Sequence, residues 1–199
     1  MSYCFFDLNK AGEERDFCNY YFSKKLFTDE EVDKIKEIGD STQTGEATTF
    51  SGDSTSARQG KVAWIPRTEE NRWIYDRLFT IVKEANDNIW KFELIGFLED
   101  CQYTTYEGSK EKGDRYDFHL DLDGVQGIHR KISAVLQLTD ESEYVGGDLE
   151  ILCRNSSIIA PKEKGTITLF PSFLLHRVKE VIKGKRNSLV IWVSGYPFK

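Results

Sequence analysis

At 199 residues the chain is long enough to bury one sizeable core and short for two. Hydrophobic residues at 39% and charged residues at 30% exclude a disordered or fibrous polymer. A net charge of −6 argues against a general nucleic-acid or membrane-surface binder, since both need a basic face.

The opening MSYCFFDLNKAGEERD turns acidic at once and carries no basic-plus-apolar signal. No apolar run approaches the roughly 20 residues of a membrane span. Cys4, Cys18, Cys101 and Cys153 form no CxxC pair, so reduced thiols in a soluble, cytoplasmic protein are expected, with Cys101 and Cys153 buried. Residues 28–39 are predicted as a helix: Thr28 and Glu31 make a capping box, Val32, Ile35 and Ile38 recur at helical spacing, and Gly39 ends the run. Residues 40–60 are polar and without hydrophobic period, a long loop of the kind that is usually functional or disordered. A mobile lid is one reading of it, with Arg58 and Trp64 at its hinge end as candidate substrate contacts; a plain connector is the other.

A second helix is predicted over residues 68–90, with an apolar stripe of Trp73, Ile74, Leu78, Phe79, Ile81, Val82, Ala85 and Ile89. From Lys91 the period changes to two. Residues 92–98 alternate, and strands are predicted over 102–106, 118–122, 131–138, 148–153, 156–159, 166–170, 176–181 and 188–194. Many short strands at such spacing define a mainly β (α+β) chain with a sandwich or jelly-roll core, the N-terminal helices packed on the outer face of one sheet. One domain is expected over 1–199, with a helical part at 1–90 and the jelly roll at 91–199.

Chemistry concentrates in the jelly-roll half. In YDFHLDLD, His119 and Asp121 stand two apart, which on a strand turns both side chains to one face. Adding His176 from a later strand gives two nitrogens and one oxygen on a metal, a facial triad that leaves three positions for a co-substrate and O₂. Satisfied core histidines or a structural zinc site are the alternatives, although structural zinc usually has four protein ligands with cysteine among them. Arg186, ten residues beyond His176, is suited to gripping a carboxylate if a hairpin brings the two together; a surface cation in KGKR is the alternative. His129 is expected outside the metal set, and Asp123 is a turn residue ahead of Gly124.

HLD…H…R, with QYTTYEG before it, RKISAVLQL and GGDLEI within it and RNSLVIWVSG at its close, resembles the prolyl 4-hydroxylase-like branch of the 2-oxoglutarate/Fe(II) dioxygenases. The resemblance runs from about Gln102 to Gly195, with a looser likeness in ARQGKVAWIP and FTDEEVDKI. It implies a double-stranded β-helix, Fe(II), 2-oxoglutarate and O₂, succinate and CO₂ as by-products, and the ascorbate stimulation common in such enzymes. By position it implies iron on His119, Asp121 and His176. The distal carboxylate of 2-oxoglutarate falls to Arg186 with Tyr106, Ser188 adds a hydroxyl, and Trp192 lines the wall. Tyr116 joins Arg58 and Trp64 as a candidate substrate contact; for Tyr106 and Tyr116 a purely structural place in the sheet is the alternative. One stretch departs from the pattern: EGSKEKGDRYDFH is longer and more charged than the tight glycine turn typical of prolyl 4-hydroxylases. The implied reaction is hydroxylation of a peptide, protein or amino-acid-like substrate, prolyl by likeness, and an intact Asp121 favours hydroxylation over halogenation. Rival readings are a metal-binding jelly roll without turnover and an oxidative nucleic-acid demethylase, the latter disfavoured by the acidic balance.

Overall fold

The computed structural model describes residues 20–23, 25–46, 57–122, 128–153 and 156–197. The capping box forms as expected: the Thr28 hydroxyl accepts from the Glu31 N–H at 3.3 Å, and the Glu31 carboxylate accepts from the Thr28 N–H at 2.9 Å. Helix α1 (Asp29–Ser41) runs past Gly39, which is a packing residue and not the stop. A Cβ at Gly39 would lie 2.4 Å from the Tyr103 ring, so the bare backbone lets helix and sheet meet there. Helix α2 (Arg72–Ala85) starts later than the periodicity suggests, because residues 68–71 form a turn in which the Asn71 amide donates to the Pro66 carbonyl. It continues as a wider π turn, Asn86–Trp90, and ends at Lys91 in the left-handed region (φ 54°). Trp90 is fully buried, whereas Phe79, expected in the stripe, is 52% exposed.

Two antiparallel sheets face one another. In the larger, the spatial order is β1 (Tyr21–Ser23), β12 (Ile167–Pro171), β8 (His129–Gln137), β14 (Val181–Gly195), β6 (Cys101–Glu107), β4 (Lys61–Ile65) and β2 (Gly45–Glu46). Strands β5 (Leu94–Gly96) and β9 (Tyr144–Gly146) also pair with β14. The smaller sheet runs β11 (Ser156–Ile159), β10 (Leu149–Cys153), β13 (His176–Val178), β7 (Arg115–His119) and β3 (Arg58–Gln59).

Period-two geometry divides the larger sheet into two faces. Ala63, Ile65, Tyr103, Ile132, Ala134, Leu136, Ile167, Leu169, Leu189, Ile191 and Val193 pack with Val32 and Ile35 of α1 and Ile74, Leu78 and Val82 of α2. The helices therefore cover its outer face, as the composition of the two halves implied. Between the sheets lies a second cluster that includes Tyr106, Tyr144, Leu149, Ile151, Phe170 and Val178.

Several strand expectations need correction. β7 ends at His119, so Asp121 lies beyond the strand and not within it. β14 begins at Val181, seven residues before the predicted start, because its charged first half pairs with β9 and β6. β13 and β14 sit in different sheets, so His176 and Arg186 are not hairpin neighbours. The short strands β1, β2, β3 and β9, of two or three residues, carry too few to show a period. The expected lid falls largely on residues 47–56, and Asp123, Cys4 and Cys18 likewise lie outside the described residues. Cys101 and Cys153 are both buried, as expected. No helix among the described residues is long and apolar enough to cross a membrane.

Candidate metal and co-substrate site

Register places the first two ligating groups together: His176 on β13 pairs directly with His119 on β7, and the ring centroids are 4.1 Å apart. Asp121 is brought back to them by its own backbone, whose N–H donates to the Ser172 carbonyl at 2.9 Å. Its carboxylate oxygens then stand 3.6 Å from His119 Nε2 and 3.3 Å from His176 Nε2. The three ligand atoms lie within 4.8 Å of one another.

Each imidazole is oriented from behind. His119 Nδ1 bonds the Asp117 carbonyl at 2.8 Å and His176 Nδ1 bonds the Leu174 carbonyl at 2.9 Å. A carbonyl only accepts, so both Nδ1 atoms carry the proton and both Nε2 lone pairs face the shared point. The Ser133 hydroxyl donates to Asp121 Oδ2 at 2.7 Å and contacts Ser172 Oγ at 2.9 Å. Ser133 is a functional residue that sequence reasoning missed; a lone serine at a period-two inner position of the apolar run KISAVLQL was its only signal. Burial works against a charged Asp121, yet His176 and His119 overcome it and hold the carboxyl far below its usual range. Burial, reinforced by His176, depresses His119 to about 4, so it stays neutral. In His176 the same burial is outweighed by Asp121, and its affinity for a proton is raised. Two neutral-capable imidazoles and one obligate carboxylate fit a hard-to-borderline divalent ion such as Fe(II), and three ligands leave positions open.

The walls of the site are aromatic. Tyr116 stacks on His119 with centroids 3.5 Å apart, and the Arg58 guanidinium lies 4.5 Å over the Tyr116 ring. On the other side Trp192 faces the Asp121 carboxylate; its indole N–H closes no regular hydrogen bond but favours the charged form. Arg130, held bidentately by Glu99, covers Trp192 at 3.9 Å, and Trp64 lies 6.3 Å from Trp192 with 43% exposure. Arg58 and Tyr116 thus adjoin the triad through His119, Trp64 adjoins Trp192, and His129, which pairs with Gly195, is outside the metal-ligand cluster.

Arg186 is no surface cation. It is 2% exposed, lies opposite Tyr106 in register with its guanidinium carbon 5.7 Å from that ring, and reaches Ser188 Oγ at 3.5 Å. Among the described residues no carboxylate forms an ion pair with it. A buried cation without a protein anion is costly unless a ligand supplies one. The guanidinium borders a narrow cleft lined by Val135, Gln137, Tyr144, Leu149, Thr166 and Thr168 among others.

A three-ligand cluster with a buried guanidinium between two jelly-roll sheets fits a non-haem iron site with open positions. Residues 101–194 match the family model of the 2OG-Fe(II) oxygenase superfamily. A PKHD-type hydroxylase of Synechococcus sp. (strain CC9311) is 38% identical over 86 residues, 43% of this chain and 39% of the relative. A PKHD-type hydroxylase of Prochlorococcus marinus (strain AS9601) is 26% identical over 183 residues, covering 88% of this chain and 78% of the relative. The first three such relatives are spanned over only 38–39% of their own length. In fold, the chain superposes on a prolyl hydroxylase from Trichoplax adhaerens, solved with a hypoxia inducible factor peptide fragment, with a TM-score of 0.72 at 18% identity over 88% of this chain and 83% of that one. A Pseudomonas putida prolyl-4-hydroxylase gives 0.68 at 18% identity over 89% and 93%. Through residues 101–194 the chain is similar to the 2-oxoglutarate/Fe(II) oxygenases, and over 88% of its length to a PKHD-type hydroxylase.

Proposed function

We propose that this chain uses Fe(II), 2-oxoglutarate and O₂ to hydroxylate an unactivated C–H of a peptidyl or amino-acid-like substrate, prolyl by likeness, and releases succinate and CO₂. The observation that carries this reading is the convergence of His119, Asp121 and His176 within 4.8 Å, with both Nε2 atoms aimed inward. Bound Fe(II) would supply O₂ activation, one oxygen atom entering succinate and the other the substrate C–H.

The chain's own residues do the rest. His119, Asp121 and His176 hold the ion on one face, and Ser133 keeps the Asp121 carboxylate turned toward it. Arg186 neutralises the distal carboxylate of 2-oxoglutarate, with Tyr106 and Ser188 beside it. Phe170, packed edge-on to His176 at 4.7 Å, and Trp192 keep bulk water from the reacting face. Arg58, Tyr116 and Trp64 form the rim against which substrate docks, the arginine donating to substrate carbonyl or carboxylate oxygens. The Trichoplax relative was solved with a peptide, which supports a peptide or protein substrate for this chain.

The test is incubation with Fe(II), ascorbate and 1-labelled 2-oxoglutarate, followed by mass spectrometry of a proline-containing peptide library. Label should leave as CO₂ only with Fe(II), and a peptide should gain one oxygen atom. Iron binding with no label release would leave a metal-binding jelly roll without turnover.

A further inference from the structure

Tyr103 of β6 packs with the helices and Tyr106 between the sheets, so period-two geometry turns Gln102 and Thr104 inward along with Tyr106. Their partners on β14 are Val190, Ser188 and Arg186. Gln102 thus stands at the end of the row away from Arg186, with Trp64 of β4 as its neighbour on the other side. Trp64 lies 6.3 Å from Trp192, the next residue after Val190 on that face of β14. Gln102 is 5% exposed, and its amide nitrogen donates to Thr104 Oγ1 at 2.9 Å. That is its only side-chain hydrogen bond among the described residues. If the amide is turned round, the threonine hydroxyl donates to Oε1 instead. In both orientations one amide N–H and a lone pair of the carbonyl oxygen stay unused. An apolar side chain would fill this wall between Trp64 and Val190 without that cost.

An N–H donor beside a carbonyl acceptor is the complement of what one residue of an extended chain turns to one side. Proline itself has no N–H to offer. We propose that Gln102 grips the backbone N–H and C=O of a substrate residue flanking the prolyl residue that is oxidised, with Thr104 holding the amide in place. This deepens the function proposed above and rests on its peptide reading. It makes the substrate an extended peptide, because a free amino acid has no flanking residue to grip. The grip is made before and during the reaction alike, so it acts on KM and not on kcat.

The experiment takes the full chain with Fe(II), 2-oxoglutarate and ascorbate, and the library peptide that gains oxygen. Versions of that peptide are N-methylated in turn at each residue next to the oxidised one. Gln102→Met, close to the parent in length and volume, should raise the peptide KM roughly tenfold and leave kcat within about twofold. N-methylation at one flanking residue should cost the parent a similar factor and cost Gln102→Met nothing further, since both changes remove the same contact. Affinity for 2-oxoglutarate, titrated calorimetrically on Mn(II)-loaded protein, should stay at the parent value. Thr104→Val should raise the peptide KM by a smaller factor, and it carries the test if Gln102→Met does not fold. A peptide KM within about twofold of the parent, methylation losses that add at every position, or a matching loss of 2-oxoglutarate affinity overturns the proposal. A parent protein that oxidises no library peptide overturns the peptide reading itself, a distinct result.

Discussion

Leu189, Ile191 and Val193 turn from β14 toward the helices, while Arg186, Ser188 and Trp192 on the same strand turn toward the space between the sheets. Leu189, Ile191 and Val193 join the helix-covered apolar cluster, whereas Arg186 and Ser188 are polar and equally buried, and no carboxylate among the described residues pairs with Arg186. One face lowers the free energy of folding through burial, and the other spends part of it on buried polar groups. Substitutions on the two rows should therefore separate cleanly into stability effects and binding effects, and the following predictions run from the largest expected effect on turnover to the smallest.

Asp121→Ala or His119→Ala should abolish metal-dependent decarboxylation, because two remaining ligands cannot hold the ion against water. His129→Ala should retain iron, since its side chain is outside the cluster. Iron content after desalting, with circular dichroism to confirm the fold, checks both. If His119→Ala kept its iron, the triad assignment would be wrong.

Replacing Arg186 by leucine should weaken 2-oxoglutarate at least a hundredfold, on the order of 3 kcal/mol, while leaving metal affinity near the parent value. Ser133→Ala should be milder, since the carboxylate remains but is no longer fixed: metal affinity falls roughly 10–100-fold. A metal-competition titration separates these two, and an equal loss of metal affinity in both would blur the distinction between the ends of the cleft.

Acid should act on the triad with a definite sign. The His119 folded-state value, about 4, lies below the ordinary histidine value of 6.5, so the unfolded chain takes up this proton first. Its contribution to apoprotein stability is complete above pH 6.5 and is lost as pH falls from 6.5 toward 4. His176, raised, works the other way and favours the folded form as it protonates. Melting temperature against pH should fall less steeply over this window in His119→Ala than in the parent apoprotein; a steeper fall would contradict the buried, neutral imidazole.

How much of this was legible in the sequence depended on local pattern. The capping box fixed the start of α1, and the change of period at Lys91 marked the jelly roll. His119, Asp121, His176 and Arg186 carried enough residue chemistry and spacing to be singled out, although the reason given for Arg186 failed: β13 and β14 meet across two sheets, not as a hairpin. That crossing depends on long-range pairing, which spacing along the chain does not encode. Ser133 looked like an ordinary strand residue, because its contact with Asp121 spans 12 residues. Strands of two residues, such as β2 and β3, offer too few alternations to stand out from a polar loop.

Leu189→Ala tests the outer row directly. Leu189 is 1% exposed and packs within the helix-covered cluster, one residue from Ser188 but on the opposite face. Its truncation should cost roughly 2–5 kcal/mol of stability through lost burial and the cavity left behind. Because the side chain never enters the space between the sheets, the folded fraction should keep the parent affinity for both metal and 2-oxoglutarate. Denaturant unfolding and ligand titration on the same preparation measure the two quantities. A variant that lost 2-oxoglutarate affinity while keeping its stability would show that the two faces of β14 are coupled, and the separation between folding row and binding row would fail at the strand where it is most sharply drawn.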